Sequence, residues 1–287
     1  IDPREPGFRK LREALHFRRH RQRTRPPDTW PVSTCTGDST RTGVAPIRWG
    51  EKRDCVKKSS EGTSPGAKGI GLFGGTFDPV HHAHLRVGEE VRQAFSLSWV
   101  EFLPARIPPH KTDQPLTDIT HRVAMLRLAV EGNPYFRVSE VEATREGVSY
   151  LVDTLKAYRE HYPSDVSLYF IMGMDSFQEL ATWHRYPELF SLSHFVVITR
   201  PGYGRPELSE VVSQDVATQF VPSAGENVCL EHTGGHRIYF RETTLLDIAA
   251  TRLRTWIREE RTVRYLIPER VWDYVQENGL YANTRKD

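Results

Sequence analysis

Short apolar runs alternate with stretches of helical periodicity from residue 69 to the end of the chain. Glycine or proline bounds most of the apolar runs, and each run is long enough for one strand. Between them, apolar positions recur every three or four residues, as in a helix with one buried face. The predicted strands cover residues 70–73, 99–104, 136–142, 166–173, 194–202 and 236–240, and the predicted helices cover 81–94, 117–132, 149–162, 176–189, 250–260 and 268–277.

Individual residues indicate where several of the predicted helices begin or end. Thr117 or Asp118 is the predicted N-cap of one helix and Gly132 its predicted stop, and Ser149 is the predicted N-cap of the next helix. Pro187 predicts a break in the helical stretch that precedes the strand at 194. Residues 203–235 are rich in Gly, Pro, Ser and Glu, and no element is predicted there.

Strands that alternate with helices predict an α/β fold. We expect a Rossmann-like, doubly wound parallel sheet with helices on both faces and two further helices at the C-terminus. Ligands of such sheets bind beyond the carboxyl ends of the strands. The residues of chemical interest follow positions 73, 103, 173 and 200 and should therefore gather at one edge of the sheet.

Residues 1–68 differ from the rest in charge and composition. They carry 16 Lys and Arg against 8 Asp and Glu, whereas the remaining residues carry 23 against 29. Few aliphatic residues are available for a core, so we expect a basic, disordered leader followed by one domain at 69–287. Two alternatives stay open: an electrostatic arm for nucleic acid or a membrane surface, and a leader absent from the natural protein. In the second case translation would begin later, for example at Val56, because the first methionine is Met125.

Cysteine use and hydropathy narrow the class of protein. Cys35, Cys55 and Cys229 are too few and too far apart for a disulfide framework or a Cys-x-x-Cys metal site, so a cytoplasmic location is the simplest expectation. No apolar run approaches the roughly 18 residues that a membrane span needs. The N-terminus also lacks the apolar core of a secretory signal.

The segment GLFGGTFDPVHHAH, residues 71–84, follows the first predicted strand. Gly74 and Gly75 allow a sharp turn and let a ligand approach backbone N–H groups. Thr76 adds a hydroxyl to the same turn.

The histidines of this segment begin the first predicted helix. There, free N–H groups and the positive end of the helix dipole favour anions. His81 and His84 are three residues apart and share one face, whereas His82 is rotated by roughly 100° from His81. The spacing predicts a phosphate site with two imidazole donors.

Two other interpretations of the histidines stay open. A zinc site would need a third ligand, and no neighbouring cysteine or His-Glu-x-x-His motif supplies one. The side chains could also be plain surface histidines at a helix start. A Walker P-loop and a dinucleotide fingerprint are excluded in this segment, because neither Gly-Lys-Ser/Thr nor Gly-x-Gly-x-x-Gly occurs there.

GGTFDPVHHAH resembles the GGTFDPxHxGH signature of the nucleotidyltransferase superfamily, and residues 69–282 resemble the bacterial nicotinate-nucleotide adenylyltransferase family. Because the matching segments are spread along the chain, the resemblance is specific. They are PARIPPHK (104–111), SYLVDTL (149–155), IMGMDSFQELATWHRYPEL (171–189), TRPG (199–202) and DIAATRLR (247–254).

The chain departs from the family pattern at four positions. Ala83 replaces the glycine of His-x-Gly-His, and its methyl group could crowd ATP. Leu151 replaces a threonine, and Ala249 and Ala250 stand where serine is common. None of these changes removes a charged group or an imidazole.

The resemblance implies adenylyl transfer from ATP to nicotinate mononucleotide, giving deamido-NAD and pyrophosphate, a step of NAD biosynthesis. The ionised phosphate of the mononucleotide attacks the α-phosphorus, so no general base is required. The protein must align two anions and stabilise charge on the leaving group. Mg²⁺ is expected to arrive with ATP, held mainly by phosphate oxygens and water.

The resemblance also implies roles for individual residues. We expect Asp175 to accept a hydrogen bond from a ribose hydroxyl and Trp183 to stack on the pyridine ring. Purely structural roles stay open for four of these residues. Asp175 could cap a helix, Trp183 and Tyr150 could pack in the core, and Arg254 could be a solvated helix residue. Asp78 is expected to be structural. The predicted catalytic residues are His81, His84, Lys111 and Arg254; those for ATP and its phosphates are Gly74, Gly75, Thr76, Phe77, His110, Arg200 and Thr251; those for ribose and nicotinate are Tyr150, Leu151, Asp175 and Trp183.

The sequence leaves other functions open. The acceptor could be nicotinamide mononucleotide or phosphopantetheine, although the segments around Tyr150 and Trp183 favour a pyridine nucleotide. A different class is a non-catalytic nucleotide-binding regulator whose leader contacts nucleic acid. The intact histidines at 81 and 84 favour catalysis. The expected partners are ATP and nicotinate mononucleotide, and no binding to a membrane or to nucleic acid is expected. A homo-oligomer is left open.

Overall fold

The computed structural model describes residues 69–107, 116–145, 147–199, 206–223 and 229–283. The predicted leader at 1–68 lies outside these ranges, so its character stays a prediction. Within the described ranges, no helix is long and apolar enough to cross a membrane.

One mixed sheet of eight strands organises the described part of the chain, in the order β3-β2-β1-β4-β5-β8-β7-β6. The first five strands and β8 run parallel, whereas β6 and β7 form an antiparallel extension at one edge. The strands are β1 Gly69–Gly75, β2 Trp99–Pro104, β3 Phe136–Val138, β4 Ser167–Gly173, β5 His194–Thr199, β6 Phe220–Pro222, β7 Cys229–His232 and β8 Arg237–Glu242.

The helices cover both faces of this sheet. Those longer than eight residues are α1 His82–Ala94, α2 Ile119–Val130, α3 Leu151–His161, α8 Ala250–Arg258 and α9 Glu269–Glu277. The short ones are α4 Met174–Gln178, α5 Tyr186–Leu189, α6 Leu208–Val211 and α7 Gln214–Ala217, and one 3₁₀ turn lies at Leu180–Thr182.

Alternate residues of the central strands pack into two separate cores. In β4, Phe170 and Met172 join α3 and α4 on one face, while Ile171 joins α1, α2, α8 and α9 on the other. Successive side chains of a strand point to opposite faces, so strands covered on both sides read as continuous apolar runs. The predicted doubly wound α/β fold is therefore confirmed.

The C-terminal part of the chain packs against α2 and against the loop that follows β1. Helix α9 packs against α2, and the hydroxyl of Tyr274 lies 2.9 Å from Nδ1 of His121. Beyond α9, the Tyr281 hydroxyl donates to Oδ1 of Asp78 at 2.6 Å. The end of the chain is thereby tied to the loop that follows the first strand.

Several predicted ends were right and others were wrong. Asp118 caps α2 by accepting from the N–H of Thr120 at 2.8 Å, and Gly132 has the positive φ of a helix stop. The predicted N-cap Ser149 is wrong, because α3 begins one residue later and its N-cap is Tyr150.

The stretch 176–189 is broken near Pro187, as predicted, and the break lies at Arg185. Arg185 adopts a left-handed conformation, with a φ of 53°, and Pro187 lies in the first turn of α5. A proline there loses no helical hydrogen bond. The region 203–235 holds short elements, α6, α7, β6 and β7, whose three or four residues are too short for any period to show.

Candidate active site

The carboxyl end of β1 is made of two glycines that are held closely by aromatic rings. A Cβ added to Gly74 would lie 2.5 Å from Cζ of Phe170, and one added to Gly75 would lie 2.8 Å from Cζ of Phe77. No real Cβ tolerates such distances, so glycine is required by packing at both positions. Together with Thr76, the two glycines line a cavity at this edge of the sheet.

Phe77 turns the chain after this strand end. Its φ of 50° is left-handed, and its side chain is buried against Phe73, Phe102 and the ring of His84. We expected Phe77 among the phosphate-binding residues. Because its side chain is a core group, only its backbone could approach a phosphate.

His81 and His84 form a stacked pair at the start of α1. Their ring centroids are 3.6 Å apart, and the backbone N–H of His81 donates to Nδ1 of His84 at 3.2 Å. An acceptor at Nδ1 assigns the proton of neutral His84 to Nε2, which is then a donor. Nδ1 of His81 is buried with no hydrogen-bond partner among the described residues.

Burial keeps both imidazoles neutral near pH 7. It lowers the pKa of His81 to about 4, and a second contribution comes from His82. Burial, followed by the charge of His81, also holds the pKa of His84 well below its ordinary value. The pair can therefore donate hydrogen bonds without carrying charge.

His82 faces away from this pair, as its rotation on the helix predicts. It lines a separate open groove with residues of α1 and with Tyr265, and its backbone N–H donates to the carbonyl of Leu266 at 3.1 Å.

Asp78 holds the loop between β1 and α1 in place. Its carboxylate accepts from the hydroxyl of Tyr281 at 2.6 Å and from the N–H of Thr117 at 3.2 Å. Its backbone carbonyl accepts from Nη1 of Arg254 at 2.6 Å. The expected structural role of Asp78 agrees with these contacts.

Arg254 and Thr251 lie on α8 as the spacing predicts, but in different surroundings. Arg254 is partly buried against the loop at Asp78, whereas Thr251 is exposed in the first turn. Three further predicted residues, His110, Lys111 and Arg200, lie outside the described residues.

Arg122 is a buried residue of this site that sequence reasoning missed. Only 1% of it is exposed, and its guanidinium donates to four backbone carbonyls. Nε reaches Thr117 at 2.8 Å, Nη1 reaches Thr76 at 3.0 Å and Ala105 at 2.7 Å, and Nη2 reaches Arg106 at 2.9 Å. One side chain thus joins the loops that follow β1 and β2.

A cavity of about 170 Å³ opens between the ends of β1 and β4. Apolar and aromatic side chains dominate its lining, as in many sites for small molecules. Trp183 packs edge-to-face on Phe170, with ring centroids 6.3 Å apart. The lining residues are Gly74, Gly75, Thr76, Leu103, Ala105, Glu142, Ser149, Tyr150, Leu151, Phe170, Met172, Ser176, Glu179, Trp183 and His184.

The predicted residues for ribose and nicotinate divide between this cavity and the surface. Tyr150, Leu151 and Trp183 line the cavity, and the ring of Tyr150 lies 4.4 Å from that of His184. Asp175 is exposed in the first turn of α4 and is not among the lining residues.

Comparison with known proteins identifies the family. Residues 72–256 match the family model described as Cytidylyltransferase-like. The "Probable nicotinate-nucleotide adenylyltransferase" of Citrifermentans bemidjiense is 40% identical over 218 residues, which cover 75% of this chain and 99% of that protein. The protein of the same description from Geobacter metallireducens is 42% identical over 215 residues, with the same coverage. The chain belongs to the nicotinate-nucleotide adenylyltransferase family.

A solved structure of that activity has the same fold. The Plasmodium falciparum nicotinic acid mononucleotide adenylyltransferase complexed with NaAD matches with a TM-score of 0.57, over 74% of this chain and 97% of its own. At 19% sequence identity the likeness concerns the fold alone.

Five polar residues of the cavity are not among the predicted site residues: Glu142, Ser149, Ser176, Glu179 and His184. Glu142 belongs to none of the motif segments, and Ser149 is predicted to be a helix cap. Burial raises the pKa of the Glu142 carboxyl, whose Oε1 accepts from the hydroxyl of Thr154 at 2.9 Å. A signal existed for the other four, because Ser149 lies in SYLVDTL and Ser176, Glu179 and His184 lie in IMGMDSFQELATWHRYPEL.

Proposed function

We propose that the protein transfers the adenylyl group of ATP to nicotinate mononucleotide, releasing pyrophosphate and forming deamido-NAD. The observation that carries this proposal is the juxtaposition at one sheet edge of a neutral histidine pair on a helix N-terminus and an aromatic cavity. The shared glycine turn at Gly74 and Gly75 joins the two parts. Family membership at about 40% identity supports the same reaction.

The chemistry of the transfer suits a site of donors. The 5′-phosphate of the mononucleotide is already ionised and attacks the α-phosphorus of ATP in line. The bond from the α-phosphorus to the bridging oxygen breaks, and pyrophosphate leaves with that electron pair. Donors fixed in advance at the developing charge lower the barrier without a proton transfer.

We propose that His81 and His84 bind the α- and β-phosphates and stabilise this transition state. A pKa of about 4 makes His81 a weak base, and an ionised phosphate needs no base, so the N–H groups of the two imidazoles are proposed to act as donors. The first turn of α1 adds backbone N–H groups. A bound triphosphate would raise the pKa of both imidazoles, because a nearby anion favours the charged form.

Further phosphate contacts are proposed for the residues that the family resemblance names. Arg254 lies against the same loop, and its contact with the carbonyl of Asp78 supports a place beside the β- and γ-phosphates. Thr76 and the backbone of both glycines would complete the site. Lys111, His110, Arg200 and Thr251 keep the phosphate roles expected for them.

Mg²⁺ is proposed to enter as the substrate complex with ATP. Among the residues that the structure describes, no three His, Cys, Asp or Glu side chains cluster in a way that could hold a metal. The carboxylate of Asp78 is already engaged by Tyr281 and Thr117. Both observations support an ion held by phosphate oxygens and water.

The aromatic cavity is proposed to hold the nicotinate and its ribose. Trp183 and Tyr150 offer ring faces and edges of a size that suits a pyridine ring. Leu151 would contribute its backbone N–H, which does not depend on the side chain that replaces threonine. Asp175, exposed in the first turn of α4, is proposed to accept a hydrogen bond from a ribose hydroxyl.

We further propose that residues 69–287 form the catalytic domain, without the basic leader, and that the protein works in the cytoplasm. The family match begins at residue 72, which supports the first statement. Cys229 is a buried free cysteine, which supports a reducing compartment.

Pyrophosphate release with Mg-ATP and each candidate acceptor tests the proposal. Nicotinate mononucleotide should be the preferred acceptor, and deamido-NAD should form in equal amount. Equal or faster turnover with nicotinamide mononucleotide would reassign the acceptor. No release with either mononucleotide or with phosphopantetheine would favour a nucleotide-binding regulator.

A further inference from the structure

The buried guanidinium of Arg122 collects backbone carbonyls from two loops at the carboxyl edge of the sheet. The carbonyl of Thr76 follows β1, whereas those of Ala105, Arg106 and Thr117 lie between β2 and α2. An arginine presents its N–H donors in a rigid planar fork, so one side chain can hold several acceptors in one arrangement. Arg122 therefore fixes the direction in which each of these peptide groups points.

Two of the peptide groups share one nitrogen of the fork. Nη1 donates to the carbonyl of Thr76 at 3.0 Å and to the carbonyl of Ala105 at 2.7 Å, and both residues line the cavity. The C=O and the N–H of a trans peptide point in opposite directions. The N–H groups of Phe77 and Arg106 complete these two peptides, so both N–H groups point away from the guanidinium.

These two N–H groups are free to bind a ligand in the part of the chain that the structure describes. Neither donates a hydrogen bond to another described residue. Phe77 also has a left-handed φ of 50°, a conformation that costs free energy in a residue other than glycine and persists only where the surroundings fix it. The bond from Arg122 to the preceding carbonyl helps to fix it, at the edge where ligands of such sheets bind.

The charge of Arg122 is balanced inside the protein. Burial lowers the pKa of its guanidinium, and the charge of Asp78 acts in the opposite direction. Thr117 lies between the two groups, because its N–H donates to the Asp78 carboxylate at 3.2 Å and its carbonyl accepts from Nε of Arg122 at 2.8 Å. With only 1% of its surface exposed, Arg122 can orient backbone groups but cannot touch a substrate.

We propose that Arg122 is a positioning residue of the adenylyl transfer, which directs the N–H groups of Phe77 and Arg106 toward phosphate oxygens of the bound nucleotides. This inference rests on the proposed function. Donors that are oriented before the reaction stabilise the developing charge without reorganisation. Because a displacement of about 1 Å can cost about 100-fold in rate, loss of the fork should slow the transfer far more than it weakens substrate binding.

Arg122→Lys tests the role of the fork, because lysine keeps the charge and loses the planar set of donors. Leu126→Ala is the matched control: Leu126 is fully buried one turn further along the same face of α2, and its truncation also lowers stability. Both variants are assayed at a temperature at which circular dichroism shows them folded.

For Arg122→Lys we expect kcat to fall about 100-fold, with the KM for ATP and for nicotinate mononucleotide within about threefold of the parent values. Leu126→Ala should keep the parent values of kcat and KM. A parent-like kcat for Arg122→Lys would overturn the inference, because charge alone would then suffice. An equal fall in both variants would assign the loss to stability and would also overturn it.

Amide exchange in the parent tests the two donors without any variant. NMR follows hydrogen exchange at Phe77 and Arg106 in the free protein and with nicotinate mononucleotide plus α,β-methylene-ATP, whose bridging carbon blocks the transfer. Both amides should exchange about tenfold more slowly with the ligands bound, because a hydrogen-bonded N–H is protected. Unchanged exchange would overturn the inference, even if Arg122→Lys failed to fold.

Turnover by the parent decides the proposed function separately. An inactive parent would contradict that function, and the exchange experiment with α,β-methylene-ATP alone would then decide the inference. Protection of both amides would support their orientation toward phosphate, whereas unchanged exchange would end it.

Discussion

Acid should destabilise the protein through the buried imidazole of His81. The folded pKa of His81 is about 4, against an ordinary value of 6.5. Between these two values the unfolded chain binds more protons than the folded one, so stability falls as the pH falls through this window. Linkage gives a loss of about 2 kcal/mol from this one group between pH 7 and pH 5, rising to about 3 kcal/mol near pH 4.

Replacing His81 by asparagine isolates this contribution. The packing cost of the change is the same at both pH values and cancels in the comparison. Relative to the parent, the unfolding free energy of His81→Asn should therefore improve by about 2 kcal/mol from pH 7 to pH 5. Urea denaturation followed by circular dichroism measures it at each pH.

Val80→Ala is the matched control, because Val80 is a fully buried neighbour that does not titrate. It should lower stability by the same amount at both pH values. If His81→Asn behaved in the same way, the imidazole would not be a buried neutral group, and its assignment as an uncharged donor would be refuted.

Three further changes test the loop that carries the site. Gly74→Ala places a Cβ 2.5 Å from Cζ of Phe170, so thermal unfolding should show a loss of about 1–3 kcal/mol, and parent-like stability would refute the close approach. In Arg122→Lys the lysine cannot reach four carbonyls, so the unfolding free energy from urea denaturation should fall by about 2 kcal/mol or more. Arg127→Met, on the exposed side of the same helix, should lower it little. Equal effects of the two changes would show that Arg122 does not join the two loops. Tyr281→Phe removes the 2.6 Å hydrogen bond to Asp78 and should lower the melting temperature by the equivalent of about 1.5–3 kcal/mol, and no change would show that the chain end does not hold the loop.

The central sheet could be predicted because its strands are covered on both faces. Runs such as Leu168–Met172 have no polar side to confuse the pattern, and each lies between two apolar cores. The antiparallel strands β6 and β7 are three or four residues long and carry no comparable signal.

A site residue could be predicted when its partners lie close to it in sequence, and not when they lie far away. The histidines at 81 and 84 belong to one turn of helix, so their spacing shows that they act together. Arg122 was missed because its four partners lie on two loops, up to 46 positions away in sequence. An arginine on a helix is ordinarily solvated, and only the tertiary fold shows this one buried.

Ser149 shows how a local rule can hide a site residue. A serine before a helical stretch is ordinarily its N-cap. Here the chain turns one residue later, which leaves the hydroxyl in the cavity instead of on the helix. The left-handed Arg185, which breaks the helical stretch after Trp183, likewise has no sequence signal of its own.

The proposed adenylyl transfer depends most on the histidine pair, which donates hydrogen bonds to the transferring phosphate. The direct test is the single-turnover rate of adenylyl transfer from Mg-ATP to nicotinate mononucleotide by His84→Ala, with His82→Ala as the control on the same turn. The rate of His84→Ala should fall about 100-fold or more, while its folded state persists, because a donor to the transition state is removed. His82→Ala should keep the parent rate. Parent-like transfer by His84→Ala would contradict the assignment of this site.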